Sequence, residues 1–273
     1  MQTVSEADLR AAGADAIVFT GQAKEPVYLW LNDGKAELRP AKHLWGKVTA
    51  EVDGLLKKEI GDEKVEIAQI GPAGENLIRF AAIMNMVNRA NGRTGLGAVM
   101  GSKRLKAVVV RGSKSPKPAE PEAFRGLVKR LKELQAANPG IVWFGEYGTA
   151  GVLAIQDKVG GLPTRNYSEG TFELAKDIDG TTLAKTILKE RDTCYACVVK
   201  CKRTVEVHEP GLDIDPVYGG PEYETLSLFG SMCGVGDLKL LSKASADANM
   251  YGMDTISAGG TIAWAMEAKA KGL

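Results

Sequence analysis

The sequence predicts an α+β protein, with a β-rich N-terminal domain followed by a mostly α-helical one. Short β-type runs separated by turns fill the first hundred residues, and helical periodicities dominate the rest. Between them, residues 113–120 carry Pro116 and Pro118 among polar residues, a composition that continues neither strand nor helix and so reads as a linker.

Asp15 to Thr20 and Pro26 to Leu31 are β-type runs, and the turn Asn32-Asp33-Gly34 before Lys35 to Arg39 is a hairpin signal. A helix is expected from Thr49 to Ile60. Val65 to Ile70, β-branched and flanked by glycines, reads as a buried strand. From Asn76 to Asn91 the residues Leu77, Phe80, Ile83, Met84 and Val87 recur at three- and four-residue spacing, which predicts an amphipathic helix. Lys106 to Arg111 then resumes as a strand. Beyond the linker, helices are expected over Pro121 to Ala137, stopped by Asn138-Pro139-Gly140, and over Thr181 to Arg191, Leu238 to Tyr251 and Gly260 to Lys271.

Hydrophobic residues make up 44% and charged residues 25% of the 273, enough to bury a core of one large or two modest domains. The formal charge of +1 supplies no global field for nucleic acid or an anionic membrane surface, so neither partner is expected. No apolar run approaches a membrane span, and Met1 to Arg10 is polar and acidic; a cytoplasmic protein is the expectation.

Three of the four cysteines crowd into Cys194-Tyr-Ala-Cys197-Val-Val-Lys-Cys201, poor geometry for a disulfide framework and good geometry for soft-ligand chemistry. Three thiolates in one loop suit an iron–sulfur cluster or a thiophilic metal. The two-then-three order is the reverse of that in radical enzymes that cleave S-adenosylmethionine, and the extra close cysteine of bacterial ferredoxins is absent. A zinc site with His208 as fourth ligand stays open, as do three reduced, buried thiols that bind nothing. Cys233, among apolar and glycine residues, reads as a small core residue.

Gly92-Arg93-Thr94-Gly95-Leu96-Gly97 invites a nucleotide-binding interpretation. The dinucleotide fingerprint follows a strand and opens a helix, whereas this loop is expected to follow a helix and open a strand. Two options stay open: a tight structural connection, or a loop whose bare backbone and Arg93 approach a phosphorylated cofactor.

Several segments together resemble the tungsten-containing aldehyde:ferredoxin oxidoreductase family. They are Ile70 to Asn76, Asn91 to Lys103, Gly161-Leu-Pro-Thr-Arg-Asn166, the cysteine run, Gly220-Pro-Glu-Tyr-Glu-Thr225 and Tyr251 to Ser257, in the family's order along essentially the whole chain. The resemblance implies oxidation of an aldehyde to a carboxylic acid at tungsten, or molybdenum, held by two pterin dithiolenes. Electrons would pass through a [4Fe–4S] cluster to ferredoxin. It implies cluster ligation by Cys194, Cys197 and Cys201, and a pterin-facing loop at Arg93, Thr94 and Gly95.

The family's pterin motif Asp-x-x-Gly-Leu-Asp/Cys corresponds to Asn249-Met-Tyr-Gly252-Met253-Asp254. Asp254 keeps a carboxylate able to accept from a pterin's amino and ring N–H groups, and Asn249 departs from the pattern with an uncharged acceptor. Glu224 matches the family's metal-proximal glutamate, where a carboxylate could move protons. Without the resemblance, Glu222 and Glu224 read as a solvated pair at a helix start.

The resemblance makes 1–112 the second half of an N-terminal α+β pterin-binding domain, 113–120 a linker, and 121–273 a partial helical domain carrying the cluster cysteines. It implies further parts of the same enzyme on both sides, including the fourth cluster cysteine, without which the chain alone is expected to be inactive. A cut sheet edge would favour self-association, so a homo-oligomer is possible. The competing hypothesis is a small metal-binding or electron-transfer module, holding an iron–sulfur cluster or zinc and acting with a partner.

Overall fold

The computed structural model describes residues 6–114 and 117–273. The polar start up to Ser5 and Pro116 of the expected linker lie outside the described residues. The chain forms two compact units, residues 1–117 with 247–254, and residues 118–246 with 255–273.

The first unit contains α1 (Glu6–Ala11), β1 (Val27–Asn32), β2 (Lys35–Pro40), α2 (Thr49–Ile60), β3 (Glu66–Ile70), α3 (Pro72–Glu75), β4 (Ile83–Asn85), β5 (Arg89–Asn91), α4 (Leu96–Ser102) and β6 (Leu105–Arg111). The six strands form one sheet in the order β2-β1-β6-β3-β4-β5, antiparallel throughout except for the parallel β1–β6 pair. The expected hairpin is β1–β2, closed at Asp33 and Gly34, both with positive φ, as a two-residue turn of matching twist requires.

Alternation along β6 serves two layers. Ala107 and Val109 pack with Val52 and Leu56 of α2 and with Tyr28 and Leu44, while Val110 packs with Ala12, Leu31 and Ala68. A strand covered on both faces reads as a continuous apolar run, which is why residues 105–111 were legible. The run at Asp15 to Thr20 forms no strand: Ile17 and Phe19 pack beside the sheet, and Val18 between them is 83% exposed.

The expected helix over Asn76 to Asn91 is absent. Ile83–Asn85 and Arg89–Asn91 pair as a hairpin added to β3, with Met86 and Val87 in the left-handed region at its turn and Leu77 left-handed before it. Pairing to an existing sheet edge outweighs a helical periodicity produced by chance, since Leu77 and Met86 are exposed while Met84 and Val87 are buried.

The second unit contains α5 (Pro121–Ala136), α6 (Pro139–Tyr147), α7 (Val152–Lys158), α8 (Gly180–Thr186), β7 (Leu188–Asp192), β8 (Lys202–Val205), β9 (Val207–Glu209), β10 (Leu212–Ile214), α9 (Tyr223–Thr225), most of α10 (Leu238–Tyr251) and α11 (Thr255–Ala270). Asn138-Pro139-Gly140 does not only stop α5. Asn138 caps α6 by accepting from the Ile141 backbone N–H at 3.1 Å, and Pro139 takes the first helical position. The helix expected to reach Arg191 ends at Thr186, because residues 188–192 pair with 202–205 instead. No helix among the described residues is long and apolar enough to cross a membrane.

Candidate cofactor sites

Two places gather the candidate residues, one in each unit. In the first unit the chain leaves β5 and makes a tight turn through Arg93–Gly95 into α4. Thr94 has φ 76° and Gly95 φ 72°. This corrects the expected context: the loop follows a strand and opens a helix. It still lacks the dinucleotide architecture, because β5 is a three-residue strand paired antiparallel to β4, with no parallel strand joined to it through α4.

Glycine is required here by close approach. A Cβ on Gly95 would stand 2.3 Å from the Arg79 carbonyl oxygen, one on Gly97 2.5 Å from that of Ala82, and one on Gly101 1.9 Å from that of Gly74. α3 and α4 therefore pack backbone to backbone beneath the loop. Beside them a buried ion pair joins Lys106 to Glu75, and Glu75 also accepts from the Gly46 N–H at 2.7 Å. Burial pulls the Lys106 ammonium below its ordinary range, opposed by the Glu75 carboxylate.

Residues 247–254, assigned to the second domain on sequence, fold with this first unit. Gly252 O accepts from Ala82 N at 2.8 Å, Asp254 N donates to Phe80 O at 3.0 Å, and Thr49 Oγ1 donates to Asn249 O at 3.0 Å. The result sets Asp254, 5% exposed, against the glycine loop. A Cβ on Gly92 would lie 3.1 Å from Asp254 Oδ1, and Arg93 Nε is 3.7 Å from Asp254 Oδ2. Asn249 is also buried, whereas Arg93 is exposed. Asn91, at the head of the same motif, has a buried side-chain oxygen with no hydrogen-bond partner.

In the second unit the cysteine run closes the β7–β8 hairpin, whose last pair is Asp192 with Lys202. All three thiols are free and half-buried. The loop has its own scaffold: Cys197 N donates to Cys194 O at 3.0 Å, Thr193 Oγ1 lies 2.6 Å from Cys197 O, and Ala196 and Lys200 take left-handed turns. Burial, then the neighbouring Glu222 carboxylate and the other two cysteines, raise the Cys201 thiol above its ordinary range.

Among the described residues, no three His, Cys, Asp or Glu side chains form a group able to hold one metal ion. His208 is held elsewhere, on β9, with Nδ1 2.6 Å from Asp213 Oδ1. The Cys₃His zinc arrangement is therefore not formed. A cubane cluster asks for less convergence, since each of its cysteines binds a different iron corner.

Glu224 sits in the short helix α9 with its side chain exposed, and Glu222 precedes it at the N-cap. Glu222 pairs with Lys202 at 2.8 Å and accepts from the Thr149 hydroxyl, so the two acids are differently committed. Cys233 lies against Leu228, Met232 and Ala263, and its thiol is 3.4 Å from Leu228 O.

Comparison with known proteins decides the relationship. A family model described as "Aldehyde ferredoxin oxidoreductase, N-terminal domain" matches residues 1–112, and one described as "Aldehyde ferredoxin oxidoreductase, domains 2 & 3" matches residues 126–273. The chain belongs to the aldehyde ferredoxin oxidoreductase family. It is 45% identical over 270 residues to a tungsten-containing aldehyde ferredoxin oxidoreductase of Thermococcus kodakarensis, covering 97% of this chain and 43% of that protein. It is 31% identical to the WOR-like subunit of an aliphatic sulfonate oxidoreductase of Pyrococcus furiosus, covering 97% of this chain and 44% of that protein. Among solved structures it resembles the active site complex BamBC of benzoyl coenzyme A reductase in complex with 1,5-dienoyl-CoA. That match has a TM-score of 0.77 and 29% identity, over 97% of this chain and 41% of that one. The chain thus spans less than half the length of these relatives.

The residues present fit the cofactors of an aldehyde ferredoxin oxidoreductase. Asp254 and the unpartnered Asn91 oxygen are acceptors suited to a pterin's N–H groups, and three thiolates in one scaffolded loop are the donor set of an iron–sulfur cluster. Sequence reasoning missed Asn91 and Arg203, the latter a buried arginine two residues after Cys201. Nothing in the pattern Lys202-Arg203-Thr204 announces that burial.

Proposed function

We propose that this chain forms the part of an aldehyde-oxidising enzyme that holds one face of a tungsten–pterin centre and most of a [4Fe–4S] site. The observation that carries this is the meeting of two motifs about 160 residues apart in sequence, with Gly92 and Arg93 against Asp254 in one folded unit. In the family's chemistry the tungsten–pterin supplies two-electron oxidation of an aldehyde to a carboxylate, and the cluster relays the electrons to ferredoxin.

The chain's own residues would divide the work. Asp254, Asn91 and Asn249 accept hydrogen bonds from the pterin, while Arg93 and the bare backbone of Thr94–Gly95 lie against it. Cys194, Cys197 and Cys201 hold the cluster. Glu224, whose side chain is exposed, would take a proton from a reacting carbonyl or deliver one to it.

The test is Cys197→Ser in the protein as it occurs in the cell. Aldehyde-dependent reduction of ferredoxin should fall below a hundredth of the wild-type rate while tungsten content stays within twofold. Unchanged ferredoxin reduction would overturn the cluster's place in the reaction.

A further inference from the structure

Arg203 carries a buried charge whose direct contacts are all carbonyl oxygens. Its side chain is 2% exposed, yet among the described residues it forms no ion pair with a carboxylate. Its Nη2 donates to Gly145 O at 2.9 Å and to Lys200 O, its Nη1 donates to Glu146 O, and its Nε is buried with no partner. Glu222 pairs directly with the neighbouring cation Lys202 and acts on Arg203 only without contact, while Arg191 beside it adds a second positive charge. A buried guanidinium whose direct contacts are all carbonyl dipoles is costly unless negative charge is gathered close to it.

The same side chain determines where the cysteine loop can lie. It ties the end of α6, through Gly145 and Glu146, to the peptide of Lys200, the residue before Cys201. The fit is close. A Cβ on Gly145 would stand 2.6 Å from Val199 O, and one on Gly148 2.5 Å from Cys201 O and 3.5 Å from Arg203 Nε. Gly148 also has φ 63° with ψ −159°, a conformation essentially restricted to glycine. The stretch Val199–Cys201 is thus moulded by α6 and Arg203.

We propose that Arg203 is the positioning residue of the cluster site: it fixes the Lys200 peptide, and so Cys201, and supplies the buried positive charge that an anionic thiolate-bound cluster neutralises. Resting on the cluster assignment above, this adds a residue that touches neither substrate nor reacting atoms. It makes the loop preformed, with the shape present before iron arrives and the charge favouring the more reduced, more negative cluster.

The test compares Arg203→Met and Arg203→Lys with the wild-type chain. Hydrogen exchange in metal-free protein over residues 194–201 should accelerate at least tenfold in both variants, because methionine donates no hydrogen bond and the single nitrogen of lysine cannot span the carbonyls reached by two guanidinium nitrogens. After anaerobic reconstitution, the midpoint potential should drop in Arg203→Met and return towards wild type in Arg203→Lys, which keeps the charge. Circular dichroism and the melting transition identify folded variants, and if Arg203→Met does not fold, Arg203→Gln takes its place. A folded neutral variant with wild-type loop exchange and wild-type potential would overturn the proposal. Wild-type chain that binds no iron would instead overturn the cluster assignment, leaving the exchange experiment to judge the loop scaffold alone.

Discussion

The two candidate sites differ in how far side chains build them. The glycine loop beside Asp254 is shaped by what is missing: at Gly95, Gly97 and Gly101 another backbone stands where a Cβ would go. The cysteine loop also passes close to the bare backbone of Gly145 and Gly148, but it adds side chains to these contacts, with Thr193 inside it and Arg203 beneath it bonding its carbonyls. A site made by backbone contact cannot be altered without disturbing its unit. One made by side-chain hydrogen bonds can lose its ligand while the unit stays folded, so stability and cofactor content should separate in the second unit and travel together in the first.

The sharpest way to break this contrast is to fill or unbalance the first site. Lys106→Met leaves Glu75 buried without its cation and should cost about 3–5 kcal/mol in denaturant unfolding. Gly101→Ala should cost about 3 kcal/mol, since the obstructing atom is backbone and cannot rotate away. Cofactor retention should fall with stability in both. A fully stable Gly101→Ala would mean that α3 and α4 are free to separate.

Asp254→Asn tests the pterin contact itself. Loss of a charged acceptor should weaken pterin retention by about ten- to a hundredfold, equivalent to about 1.5–3 kcal/mol, measured as tungsten kept through gel filtration. In the second unit, Thr193→Val should change unfolding free energy by only about 1 kcal/mol and yet hasten iron loss to a chelator. Equal effects on stability and iron would erase the distinction between the sites.

The smallest expected effect is at His208. Its imidazole is raised above the ordinary range by the hydrogen bond it donates to Asp213, with Glu206 adding to it. A raised folded-state value means that the contact stabilises fully below about pH 6.5, the unfolded value, and is lost as pH rises through the folded one. Asp213→Asn should lower the His208 midpoint in an NMR titration without changing iron binding. A change in iron would reinstate His208 as a ligand.

Within the first unit, some elements were legible in the sequence and others were not. The hairpin at Asp33-Gly34, the helix Thr49–Ile60 and the central strand ending at Arg111 were readable because local turn chemistry and periodicity agree with burial there. Residues 76–91 were not, since their apolar spacing suits a helix while three left-handed residues and an open edge of β3 make a hairpin. That error also inverted the context expected for the glycine loop. The cysteines were visible from spacing alone, but the arginine that bonds the Lys200 carbonyl of their loop was not, because burial of a cation depends on carbonyls contributed by α6, some 57 residues earlier. The return of residues 247–254 to the first unit was equally invisible, since chain order says nothing of which core a segment joins.

Metal analysis of protein purified without oxygen tests the central claim most directly. Tungsten together with about four irons per chain is the expected result, with the iron lost in Cys197→Ser and the tungsten retained less firmly in Asp254→Asn. One zinc per chain with neither iron nor tungsten would contradict it.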